Sequence, residues 1–175
     1  MKRKLLNLSR CQAGTATIEL ALLAPMLAAM VMGISDLSIV VGRRLELEQA
    51  AHRAIERVMQ TTGELTVEDT IKQEVVCQIN GMTEGGDCAE GRMTAEKTTV
   101  TYKLECTDPG GTLTTQESTV SETFEAFVCP VANSAEARYV SVTVTDTYDP
   151  IFPANYGTDS DGIYRLTAEA GIRVP

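Results

Sequence analysis

Residues 14–34 read GTATIELALLAPMLAAMVMGI, an apolar run suited to a membrane in which one carboxylate, Glu19, stands near the start. From Leu20 to Ile34 fifteen residues pass without a charge, and Asp36 then precedes a second apolar run, LSIVVG, at 37–42. At about 1.5 Å per residue the uncharged stretch covers roughly 23 Å, short of a hydrocarbon core of about 30 Å. A span must therefore include polar positions. Taken as residues 15–42 it is long enough, and Glu19 and Asp36 fall near the two faces. There a carboxylate costs less than the roughly 2.5–3.5 kcal/mol expected at mid-bilayer. Pro25 lacks an N–H and predicts a bend in the helix.

Composition bounds the rest. A chain of 175 residues, 43% hydrophobic and 22% charged, holds one modest domain and an appendage. The net charge of −9 leaves no basic stripe for a phosphate backbone, so nucleic acid is excluded as a partner. The charge is also uneven. Residues 1–14 carry Lys2, Arg3, Lys4 and Arg10 with no acid, leaving 11 basic and 24 acidic residues beyond them. A basic head before an apolar segment keeps the N-terminus cytoplasmic and sends the remainder outward. Arg43 and Arg44 work against that bias, although Glu46 and Glu48 lie beside them.

Several ordinary segments share this outline. A cleaved secretory signal requires a small-x-small site before Asp36, and none closes the run. A lipoprotein requires the apolar run before its cysteine, whereas Cys11 follows Arg10 and precedes the run. A plain signal anchor accounts for the span but gives Glu19 no partner. Cleavage after Gly14 does give it one. Thr15 then becomes the N-terminus and Glu19 the fifth residue, and an α-amine with a pKa near 8 is largely protonated at neutral pH. Pairing the two groups between neighbouring subunits compensates charges that the bilayer otherwise penalises.

The basic leader, Gly14 at the junction, Glu19, the apolar helix with Pro25 and the following RRLELEQAAHRAIERVMQ together resemble a TadE-like pseudopilin of the tight-adherence (Tad/Flp) pilus system, most strongly over residues 12–60. Leu20 departs from the aromatic residue common after the Glu in Flp pilins, and the chain is much longer than a major pilin. Both features favour a pseudopilin. The resemblance implies a leader at 1–14, a transmembrane helix at 15–42 and a periplasmic domain at 43–175. It assigns Gly14 and Thr15 to processing and Glu19 to assembly contact. The implied partners are a prepilin peptidase, other Tad pseudopilins and the Flp pilin, an inner-membrane assembly platform and membrane lipid. The implied role is pilus assembly in cell adhesion, from the inner membrane or within the pilus.

Beyond the span the helical period continues. Leu47, Ala51, Ala54 and Val58 recur at i, i+4, i+7 and i+11, with Ile55 beside them, while Glu46, His52, Arg53, Glu56 and Arg57 take the other faces. A second helix is expected from Thr66 to about Asn80, ending at Gly81. The distal half shifts to period two. Val100, Tyr102 and Leu104 alternate, as do Val140, Val142 and Val144, and then Tyr164, Leu166, Ala168, Ala170, Ile172 and Val174. Three half-buried strands follow, with SETFEAFVCPVA at 121–132 read as a short helix or irregular segment. The expected class is α+β: a membrane-spanning helix extending into the distal domain, a second helix and a small antiparallel sheet.

If Cys11 leaves with the leader, Cys77, Cys88, Cys106 and Cys129 remain, an even number for an oxidising compartment. Three pairings are open. Sequential pairing closes the shortest loops, and each bridge contributes roughly 2–4 kcal/mol. Zinc is disfavoured because no pair has C-x-x-C spacing and no histidine is near. Asp159 and Asp161 in YGTDSDG form half of a calcium loop without the closing Glu, which reads as a polar turn. His52 is the sole histidine, and no Walker loop, H-E-x-x-H or G-x-S-x-G occurs. No catalytic residue, metal or cofactor is therefore expected. The leading class is a non-enzymatic assembly protein. A signal-anchored periplasmic binding module unrelated to pili is the alternative, and an exported hydrolase stands well behind both.

Overall fold

A computed structural model describes residues 15–60, 68–151 and 157–174. The leader, Gly14 and the expected helix start at Thr66 lie outside the described residues. Helix α1 (Thr15–Gln60) is one element of 46 residues that continues through Pro25, about 69 Å long at the standard rise. From Ile18 to Ser35 it is exposed. Its second half carries the predicted stripe, and Leu47, Ala50, Ala51, Ala54 and Ile55 are buried. No turn or linker marks residue 42.

Helix α2 (Glu68–Asn80) packs beside α1 and stops where Gly81 takes φ 86°. The Gly81 N–H donates to the Cys77 carbonyl at 2.9 Å, closing the last turn in a left-handed conformation that glycine adopts without steric cost. A 3-10 turn (Ala95–Lys97) leads into β1 (Thr98–Thr107), followed by β2 (Leu113–Ser118), the short helix α3 (Ser121–Glu125), β3 (Ala135–Tyr148) and β4 (Tyr164–Val174). The strands form one antiparallel sheet in the order β2-β1-β3-β4.

Every second residue of the three inner-facing strands meets the helices. Val100, Tyr102, Leu104 and Cys106 of β1, Val140, Val142 and Val144 of β3, and Leu166, Ala168 and Ala170 of β4 join the α1 stripe, with Ile71 and Val75 of α2, in one core. Small side chains on α1 and on β4 let helix and sheet approach closely. The outer face is polar, with Thr99 opposite Thr143 and Thr145 opposite Thr167. A sheet covered on one face produces this alternation.

The α+β class holds, but the sheet has four strands where the sequence predicts three. The additional strand is β2, with the sequence LTTQES and no buried residue. It lies at the sheet edge away from α1 and α2, beside only the short α3, so no apolar face is written into it. Within 121–132 the chain forms α3, whose Phe124 stacks on Tyr102 with ring centroids 5.3 Å apart and meets Phe127 edge-on at 5.9 Å. Cys77 is bonded to Cys88 and Cys106 to Cys129, tying α2 to the loop after it and β1 to the segment after α3.

Candidate functional site: the anchor helix and its junction with the domain

Two regions of α1 carry the chemistry. In the first, Ile18 to Ser35, every side chain is exposed, and the helix contains an eighteen-residue stretch with a mean hydropathy of 2.0 and nothing buried. In length and composition it can cross a bilayer. Thr15 opens the helix, and Glu19 lies one turn further on, exposed between Ile18 and Leu20. Residues four apart share a helix face, so Glu19 stands below the helix start on the side of Thr15. Gly14, assigned to processing from the sequence, lies outside the described residues.

The second region begins at Asp36, expected from the sequence to stand near a membrane face. The side chain is buried against the domain, only 4% exposed. Its Oδ1 accepts a hydrogen bond from the Tyr148 hydroxyl at 2.7 Å and another from the Ile151 backbone N–H at 3.0 Å. The bond to Asp36, followed by burial and the carboxylate's charge, pushes the Tyr148 hydroxyl above its ordinary pKa. The Tyr148 ring stacks on Tyr164 at 6.2 Å, and the Arg43 guanidinium lies 4.8 Å from its centroid.

Seven residues after Asp36, Arg43 turns to the same side. It donates to the Thr147 carbonyl at 3.3 Å and lies 3.6 Å from Asp146. Asp146 is a buried carboxylate ringed by cations from three parts of the chain. Its Oδ1 accepts from Lys97 Nζ at 2.8 Å, while Oδ2 faces Arg43 and, at 3.9 Å, Arg92. Arg92 also pairs with Glu46 of α1. Arg44, next along the helix, points away and pairs with Glu48 at 3.2 Å. The two adjacent arginines thus have different tasks, and Arg43 is committed to the domain.

The sequence contained a signal for this junction. Stepping back from Leu47 by four, seven and eleven residues reaches Arg43, Val40 and Asp36, so the core stripe simply continues toward the N-terminus with polar members. Their charges hid the pattern.

The remaining candidates are dispersed. His52 is exposed on the outer side of α1. Asp159 and Asp161 both pair with Arg165, which makes the YGTDSDG turn an internally compensated loop. Among the described residues no group of three or more His, Cys, Asp or Glu is placed to hold a metal ion.

Residues 14–55 match the family model described as TadE-like protein. The match begins at Gly14 and takes in Glu19, the whole apolar stretch and the Asp36–Arg43 junction, so over this segment the chain is similar to TadE-like proteins. No curated protein and no solved structure matches the chain.

Proposed function

We propose that the chain is a minor, non-enzymatic pseudopilin of tight-adherence (Flp) pilus assembly. A prepilin peptidase cuts it after Gly14, and α1 holds it in the bacterial inner membrane with the leader cytoplasmic and the disulfide-tied domain periplasmic. Thr15 supplies the new α-amine, and Glu19 pairs with that amine on a neighbouring subunit, either another Tad pseudopilin or the Flp pilin, at the assembly platform. The observation that carries this reading is the TadE-like match starting at Gly14, upstream of an exposed apolar helix that bears Glu19 one turn in.

Mass spectrometry of the mature N-terminus tests the processing. Protein isolated from the native membrane should begin at Thr15, and Gly14→Leu should remain full length; a wild-type chain that is uncut, or cut after residue 28, removes the proposal. Glu19→Gln separates an assembly role from a plain anchor. The variant should insert and be cut, yet fail to support piliation, because breaking a poorly solvated ion pair costs roughly 3–5 kcal/mol. Normal piliation at normal protein level refutes the role of Glu19. Loss of cleavage moves that role to peptidase recognition.

A further inference from the structure

The junction at Asp36 fixes more than the fold. The stretch of α1 in which every residue from Ile18 on is exposed ends at Ser35; the next residue is sealed under Tyr148 and Ile151, and only the face carrying Leu37 and Val41 stays exposed and apolar beyond it. From Thr15 to Ser35 the helix rises about 31 Å, the thickness of a hydrocarbon core. The domain therefore has no spacer between itself and the bilayer. Its lower rim begins at the height where the hydrocarbon ends.

The residues at that height are those that an interface selects. Ile151 bonds to Asp36 through its backbone while its side chain is 72% exposed. Tyr148 and Tyr164 are stacked, with the Arg43 guanidinium over the Tyr148 ring. Ile151 beside the half-buried Tyr164 matches the headgroup layer, where amphipathic rings concentrate, while the buried Tyr148, and Arg43 held by Asp146 and Thr147, back this rim from the domain side.

We propose that this rim seats in the outer headgroup layer of the bilayer, with Ile151 reaching the acyl boundary, and that Asp36 is the pin that sets the height of the domain on the helix. The occupant is lipid, and the argument for it is continuity with the apolar stretch of α1, exposed all round up to the residue before the pin. This rests on α1 as the membrane span, so the test reads the span and the rim separately.

The chain contains no tryptophan, which makes single tryptophans clean depth probes. Leu27→Trp, Ile151→Trp and Val128→Trp, each placed in the full chain in phosphatidylcholine–phosphatidylglycerol nanodiscs, would be read with lipids spin-labelled near the headgroup or near the chain end. Val128 is as exposed as Ile151, at 72%, but belongs to the segment after α3. Leu27→Trp should be quenched most by the deep label. Ile151→Trp should emit to the blue of Val128→Trp and lose most of its emission to the shallow label only, while Val128→Trp responds to neither. Adding Asp36→Ala should weaken the shallow quenching at position 151 and leave position 27 unchanged.

Deep quenching at 27 with water-like, unquenched emission at 151 overturns the seating while the span stands. No quenching at 27 removes the span itself. Equal shallow quenching at 151 and 128 means that the domain lies against lipid without a defined rim, which also overturns the proposal. Shallow quenching at 151 that is unchanged by Asp36→Ala overturns the role of the pin.

Discussion

Lys97 has the appearance of an ordinary surface lysine, about a third exposed, and the substitution Lys97→Met should nevertheless be among the more damaging in the domain. Its Nζ supplies the hydrogen bond at 2.8 Å to Oδ1 of Asp146, a carboxylate whose side chain is only 1% exposed. Without it, Asp146 is left with Arg43 at 3.6 Å and Arg92 at 3.9 Å, while Oδ2 has no hydrogen-bond partner. Stranding a buried carboxylate costs about 3–5 kcal/mol. Two guanidinium groups remain near, and both are partly hydrated, so the expected loss is about 2–3 kcal/mol. For a chain of this size that is a fall of about 5–10 °C in Tm. Adding Asp146→Asn removes the stranded charge, so the double variant should be more stable than the two single losses predict, by about 1–2 kcal/mol. The assay is thermal unfolding of the full chain in detergent, with both disulfides intact, followed by the near-UV signal of the tyrosines. A Lys97→Met loss under about 0.5 kcal/mol, as for an ordinary surface change, or strict additivity with Asp146→Asn, refutes the reasoning.

A non-reducing peptide map should yield one bridged pair joining Cys77 to Cys88 and one joining Cys106 to Cys129. Replacing either pair by alanine should cost about 3 kcal/mol, somewhat more for the longer loop at 106–129, measured by denaturant unfolding. Gly91→Ala should cost about 1–2 kcal/mol by the same measurement: an added Cβ would lie 2.5 Å from the Asn80 side-chain oxygen, and that amide makes two hydrogen bonds to the Met93 backbone. Burial pushes the Glu68 carboxyl up, but hydrogen bonds from its own backbone and from Ser121, with the nearby Lys72, outweigh this and hold it below the usual range. A depressed carboxylate stabilises fully above its unfolded pKa of about 4.3 and less as pH falls through the folded value, so Glu68→Gln should flatten the decline of Tm between about pH 5 and about pH 3.

What the sequence disclosed follows the apolar signal closely. The α1 stripe from Leu47, the end of α2 at Gly81 and the alternation in β1, β3 and β4 all express one event, burial against a single core, and all are legible as period 3.6 or period 2. β2 escaped because it buries nothing: Thr114, Thr115 and Gln116 pair with β1 through backbone bonds that leave no mark on hydropathy. Asp36, Arg43 and Asp146 escaped for the opposite reason. They occupy core-facing positions, but their charges are satisfied by partners up to 115 residues away, and a linear reading cannot supply those partners. At the anchor the apolar run and Glu19 were plain in the sequence, whereas Asp36 as the place where the domain begins was not.

Because α1 is continuous from its apolar stretch into the core, no cleavable stalk separates the two among the described residues. A protease needs an extended stretch of several residues, and from Ile18 to Ile55 every backbone group belongs to a helix. A cut beyond Asp36 would also remove that buried residue, and one beyond Val40 or Leu47 would take these from the residues that the sheet packs against. With α1 as the proposed span, a cut could release an intact domain only after local unwinding of the helix on the domain's side of the bilayer.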